Sequence, residues 1–123
     1  MSKHPERAQD YLGHVLTALE RIQQYAMGKA AEEFMADTLL QDAILRNLSI
    51  IGEAAHRLSA DAPEFVASHP EIPLKQIYAM RNRITPAYEN VDLAIVWNLV
   101  LFDVPDLRAK ITAALEELRK SDV

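Results

Sequence analysis

At 123 residues the chain has the size of one domain, spanning 1–123 and able to bury roughly two-thirds of its unfolded surface. It has no cysteine, which excludes disulfides and thiolate metal sites. A formal net charge of −5 speaks against a nonspecific nucleic-acid binder with a basic face, but leaves room for a small local basic site. The start Met1-Ser2-Lys3-His4-Pro5 is polar with no apolar run behind it, and no stretch is long enough to span a bilayer. The expectation is a soluble, cytoplasmic protein with no membrane partner.

Helical spacing recurs along the chain and no alternating strand pattern stands out. Leu12, Val15, Leu16, Leu19 and Ile22 define the apolar face of a first helix, with Pro5 in its first turn and Gly28 as its stop. A second helix runs from the N-cap Asp37 to about Leu58, on the stripe Leu40, Ile44, Leu48, Ile51 and Ala55. Residues 59–73 are punctuated by Pro63, Pro70 and Pro73 and read as a connection with a short helical turn at 64–68. Pro73 opens a third helix carrying Leu74, Ile77 and Ile84, which Pro86 ends or kinks because proline lacks the N–H donor. A fourth starts near Asp92 with Leu93, Val96, Trp97, Val100 and Leu101 inward. A fifth follows Asp103, with Pro105 in its first turn and the stripe Leu107, Ile111, Leu115 and Leu118. The predicted fold is all-α, an antiparallel bundle of about five helices.

Two polar residues interrupt the stripes. Arg81 follows Ile77 by four residues and precedes Ile84 by three, and Asn47 sits between Ile44 and Ile51 in the same way. An unpaired buried charge is costly, so Arg81 needs a partner, a wet cleft or a ligand. The plain reading of its spacing is an arginine snorkelling at the core edge.

The segment Met80-Arg81-Asn82-Arg83-Ile84-Thr85-Pro86-Ala87-Tyr88 resembles the motif of HepT-type toxins in the HEPN superfamily: an arginine, four variable residues, a histidine, one more residue and a tyrosine. The blocks Asp10–His14, Arg46-Asn47-Leu48, Ile50–Ala55, His69–Pro73 and Val91–Trp97 extend the resemblance over almost the whole chain. It implies a HEPN-like helical fold, a homodimer whose two motifs face one groove, and a metal-independent endoribonuclease needing no cofactor. The partners it implies are RNA (tRNA or mRNA), not DNA, and an MntA-like nucleotidyltransferase antitoxin.

By the same resemblance Arg81 holds the scissile phosphate, Asn82, Arg46 and Asn47 are accessory RNA-contacting residues, and Tyr88 accepts AMP from the antitoxin. Pro86 stands where the family has its proton-transferring histidine, so little or no nuclease activity is expected. The alternative function is a non-catalytic dimeric binding module, or a nucleotide-binding partner of a nucleotidyltransferase. Read without the resemblance, Tyr88 is an ordinary half-buried loop aromatic.

Other signals are weaker. Glu53-Ala54-Ala55-His56 has the glutamate–histidine spacing of di-iron bundles, but no second pair exists, so no metal is expected and Glu53 pairs better with Arg57. His14 suits an ion pair with Asp10 ahead of a groove contact, and His4 and His69 read as solvent-exposed loop or terminal residues. Trp97 fits either a core or an interface.

Overall fold

The computed structural model describes residues 7–84 and 91–121, with side chains described for 7–79 and 91–120. The described residues are helices joined by short turns, without a strand. They form α1 (Ala8–Ala26), α2 (Ala31–Ala36), α3 (Thr38–Asp61), α4 (Pro63–Ser68), α5 (Leu74–Ile84), α6 (Leu93–Asn98), a π-helical turn (Leu99–Asp103) and α7 (Val104–Ser121).

The bundle is built around α3. Its stripe Leu40, Ile44, Leu48, Ile51 and Ala55 is buried, as are Leu12, Val15, Leu19 and Ile22 of α1. Helix α1 packs on α3 and α7, and α5 packs on α3. Two polar contacts fix the directions. The Tyr11 hydroxyl at the start of α1 donates to Asp61 at the end of α3. Arg108 near the start of α7 donates to Gln23 and to Glu20 (3.0 Å) near the end of α1. Both neighbours of α1 therefore run antiparallel to it.

Local chemistry sets the boundaries. Gly28 adopts φ +72°, a left-handed turn that favours glycine, just past α1. The Asp37 carboxylate accepts from the Leu40 amide at 3.0 Å and caps α3. Asp92 does the same for α6, accepting from Ala94 (3.0 Å) and Ile95 (3.3 Å). Pro63 occupies the first turn of α4, and the Pro73 carbonyl accepts the Ile77 amide at 3.0 Å to open α5. The expected roles of Pro5 and Pro86 lie outside the described residues.

Three features depart from the sequence reading. First, α2 was not anticipated, and Phe34 within it is fully buried, stacking on Trp97 with ring centroids 4.9 Å apart. The Gln41 amide donates to the Phe34 and Met35 carbonyls (2.9 and 3.1 Å), closing α2 together with the Asp37 amide, which also donates to the Phe34 carbonyl at 3.3 Å. Trp97 is thus a core residue.

Second, the fourth and fifth helices are not separated by a break. The Val104 amide bonds the Leu99 carbonyl one residue further back than in an α-helix. Pro105 has no N–H to give and its ring clashes with the carbonyl of an ordinary preceding turn, so the wider turn lets the helix continue past it. The extra residue shifts the register: Val100 and Val104 are buried, while Leu101, expected inward, is 46% exposed.

Third, His69 is not solvent-exposed. Its side chain is 12% exposed and its ring stacks on Phe65, with Nδ1 3.0 Å from the Phe65 carbonyl and Nε2 3.4 Å from Glu117.

Candidate functional site

The motif of interest begins on the last turn of α5. Arg81 and Asn82 lie within the helix Leu74–Ile84, four and five residues after the buried Ile77, and α5 is held against α3. Their side chains lie outside the described residues, as do Pro86 and Tyr88 altogether. The structure therefore locates the backbone on which the arginine sits and the helix that supports it.

On α3, Arg46 is exposed and Asn47 is buried at 5%. The Asn47 amide nitrogen donates back to the Ala43 carbonyl at 2.9 Å, while Oδ1 has no hydrogen-bond partner among the described residues. Asn47 thus breaks the stripe as its spacing predicts.

Further along α3, Glu53 and His56 each have a partner among the described residues. Glu53 pairs with Arg57 at 3.3 Å, and the exposed His56 ring stacks on Tyr78 of α5, centroids 4.5 Å apart and planes 16° apart. Among the described residues no three His, Asp or Glu side chains gather as a metal-binding group. Asp10 and His14 are both exposed and, among the described residues, form no ion pair with each other, contrary to expectation. The stacking of His56 on Tyr78 was missed because it joins residues on different helices. The aromatic at Tyr78, three before Arg81, was the available signal.

A cleft of about 310 Å³ opens between α3, the start of α5 and the π-helical turn, lined by Leu48, Ile51, Ile77 and Leu99 and flanked by Asp103 and Asp106. Its lining is apolar apart from Gln76 and its charged groups are acidic, so it would repel a phosphate. Outside that cleft α3 exposes Arg46, and an Arg57 paired with Glu53, while α5 carries Arg81. No described helix is long and apolar enough to cross a membrane.

Comparison with known proteins identifies the family. The family described as Ribonuclease HepT-like matches residues 15–114. A probable ribonuclease HepT from Thermococcus cleftensis is 37% identical over 111 residues, covering 90% of this chain and 94% of that protein. A protein of Methanocaldococcus jannaschii described as "Gamma-glutamylcyclotransferase and putative RNase" is also 37% identical over 111 residues. That match covers 90% of this chain but 49% of the relative, so the chain spans about half its length. No solved structure matches significantly.

Proposed function

The chain belongs to the Ribonuclease HepT-like family, and from that membership we propose that it is the toxin component of a HepT/MntA-like toxin–antitoxin pair, built as a metal-independent endoribonuclease and impaired by Pro86. The observation that carries this is that the matched stretch, 15–114, contains the whole segment from Arg81 to Tyr88.

In the proposed chemistry Arg81 grips the scissile phosphate and stabilises the charge that develops as the RNA 2′-oxygen attacks phosphorus and the 5′-oxygen leaves. The attacking hydroxyl must lose a proton and the leaving oxygen must gain one. Proline has no group for either transfer, and loss of a general acid or base costs about 10²–10⁴-fold in rate. Asn82 and Arg46 are accessory contacts to the RNA, with Arg46 supported by its exposure on α3. Asn47 would act indirectly, through the α3–α5 packing it sits in.

Tyr88 is the proposed acceptor for AMP from a nucleotidyltransferase. The added phosphate and nucleoside would compete with RNA beside Arg81. Two chains pair so that their Arg81 residues line one groove. A paired state is supported by the apolar surface at Ile95, Leu101 and Phe102, which are 49%, 46% and 69% exposed. Pro86 also favours a second reading, a non-catalytic dimeric module that binds the antitoxin or serves as its modification substrate.

The test is growth and tRNA and mRNA integrity in cells expressing the chain beside its Pro86→His and Pro86→His/Arg81→Ala variants. The nuclease reading expects arrest and RNA cleavage from Pro86→His alone. If all three are harmless, the nuclease reading falls and the binding module replaces it.

A further inference from the structure

Of the three aromatic stacks among the described residues, two are committed to the fold. Phe34 and Trp97 are buried in the core, and Phe65 carries a His69 whose nitrogens already face a carbonyl and a carboxylate. The third, His56 on Tyr78, is different: its outer ring belongs to an exposed residue. Tyr78 is half-buried on α5, three residues before Arg81, which places it about 4.5 Å along the helix axis from the motif arginine.

We propose that His56 and Tyr78 form a stacking platform for a nucleobase of single-stranded RNA, next to the phosphate held at Arg81. The proposal rests on the ribonuclease reading above and extends it to a base-contacting site. Tyr78 covers one face of the imidazole, and the exposed position of His56 leaves its ring within reach of a base. Aromatic and histidine rings on which a splayed base can lie are a common device of single-strand recognition. A base inside an A-form duplex is already stacked on both sides, so the platform selects single strands, loops or ends.

The neighbouring charges sharpen the expectation. Arg57 is paired with Glu53 at 3.3 Å, so the charge beside the platform is largely balanced. Binding energy at His56 therefore comes from stacking and not from counterion release, and is insensitive to salt. Arg81 behaves oppositely, because a lost phosphate contact lowers the salt dependence of binding.

The experiment is fluorescence anisotropy of the full chain with a dye-labelled single-stranded RNA octamer, its 2′ positions methylated so that cleavage cannot consume it, at low and high salt. His56→Ala is expected to weaken binding about 5- to 100-fold at both salt concentrations, and His56→Phe to stay within about twofold of the parent chain. Arg81→Ala is expected to weaken binding and reduce the salt slope by about 1. If Arg81→Ala weakens binding and His56→Ala does not, the platform is wrong and the ribonuclease reading stands. Equal loss in His56→Ala and His56→Phe also overturns stacking. No RNA binding by the parent chain removes both readings together.

Discussion

Replacing Phe34 with alanine tests whether the short helix α2 is part of the core or merely lies on it. Phe34 is fully buried and stacks on Trp97 at 4.9 Å, so truncation removes a complete aromatic side chain and leaves a cavity beside the indole. Such changes cost about 3–5 kcal/mol, of which the ring pairing accounts for about 0.5–1.5 kcal/mol. At about 2.1 cal/mol/K per residue, the unfolding entropy of 123 residues makes each kcal/mol worth about 4 °C of Tm. The expected drop is therefore about 12–20 °C, a large share of the stability of about 6–18 kcal/mol usual for this length. Trp97 is the sole tryptophan, so its emission shifting to longer wavelength reports the same loss locally. Met35→Ala is the control on the same helix: it is 41% exposed and should change stability by no more than about 0.5 kcal/mol. Equal, small shifts for the two variants would refute the docking of α2 on α6.

Tyr11→Phe removes the hydroxyl that α1 gives to Asp61 at the far end of α3, a bond to a charged group inside a half-buried contact. Urea unfolding should show a loss of about 1.5–3 kcal/mol; no loss would mean that water replaces the hydroxyl without cost. Phe102→Glu places a charge on a residue that is 69% exposed, so the fold should survive while the proposed dimer weakens about 30-fold or more, read by sedimentation. An unchanged oligomeric state would move the interface away from the π-helical turn.

The parts of the fold that could be read from the sequence are those where local periodicity and tertiary burial agree. The stripes of α1 and α3 are long enough for the spacing to declare a face, and Asp37, Asp92 and Gly28 sit where caps and stops require them. Helix α2 was hidden because six residues with one inward aromatic make no period, and its closure depends on the Gln41 side chain from the next helix. The π-helical turn was hidden because Pro105 reads equally as the first turn of a new helix, and only the Val104–Leu99 bond distinguishes the two. His69 was misplaced because its carboxylate partner, Glu117, is 48 residues away. At the site, Arg81 could be read through the motif. The His56–Tyr78 contact could not, since it depends on the register between α3 and α5.

The charges around the cleft bear on both kinds of partner proposed for the molecule. The apolar cleft is flanked by Asp103 and Asp106, and at about 4 Å two like charges repel by about 1 kcal/mol in water and about 4 kcal/mol near a protein surface. The proposed RNA contact would thus avoid the α6–α7 junction and lie where α3 meets α5 at the His56–Tyr78 stack. The apolar residues Ile95, Leu101 and Phe102 belong to the junction side. In the proposed pair the Arg81 groove lies between the two chains, so a substitution at Phe102 should change assembly first and RNA binding only through assembly. The reverse holds for His56, where loss of RNA affinity with assembly intact is the expected pattern.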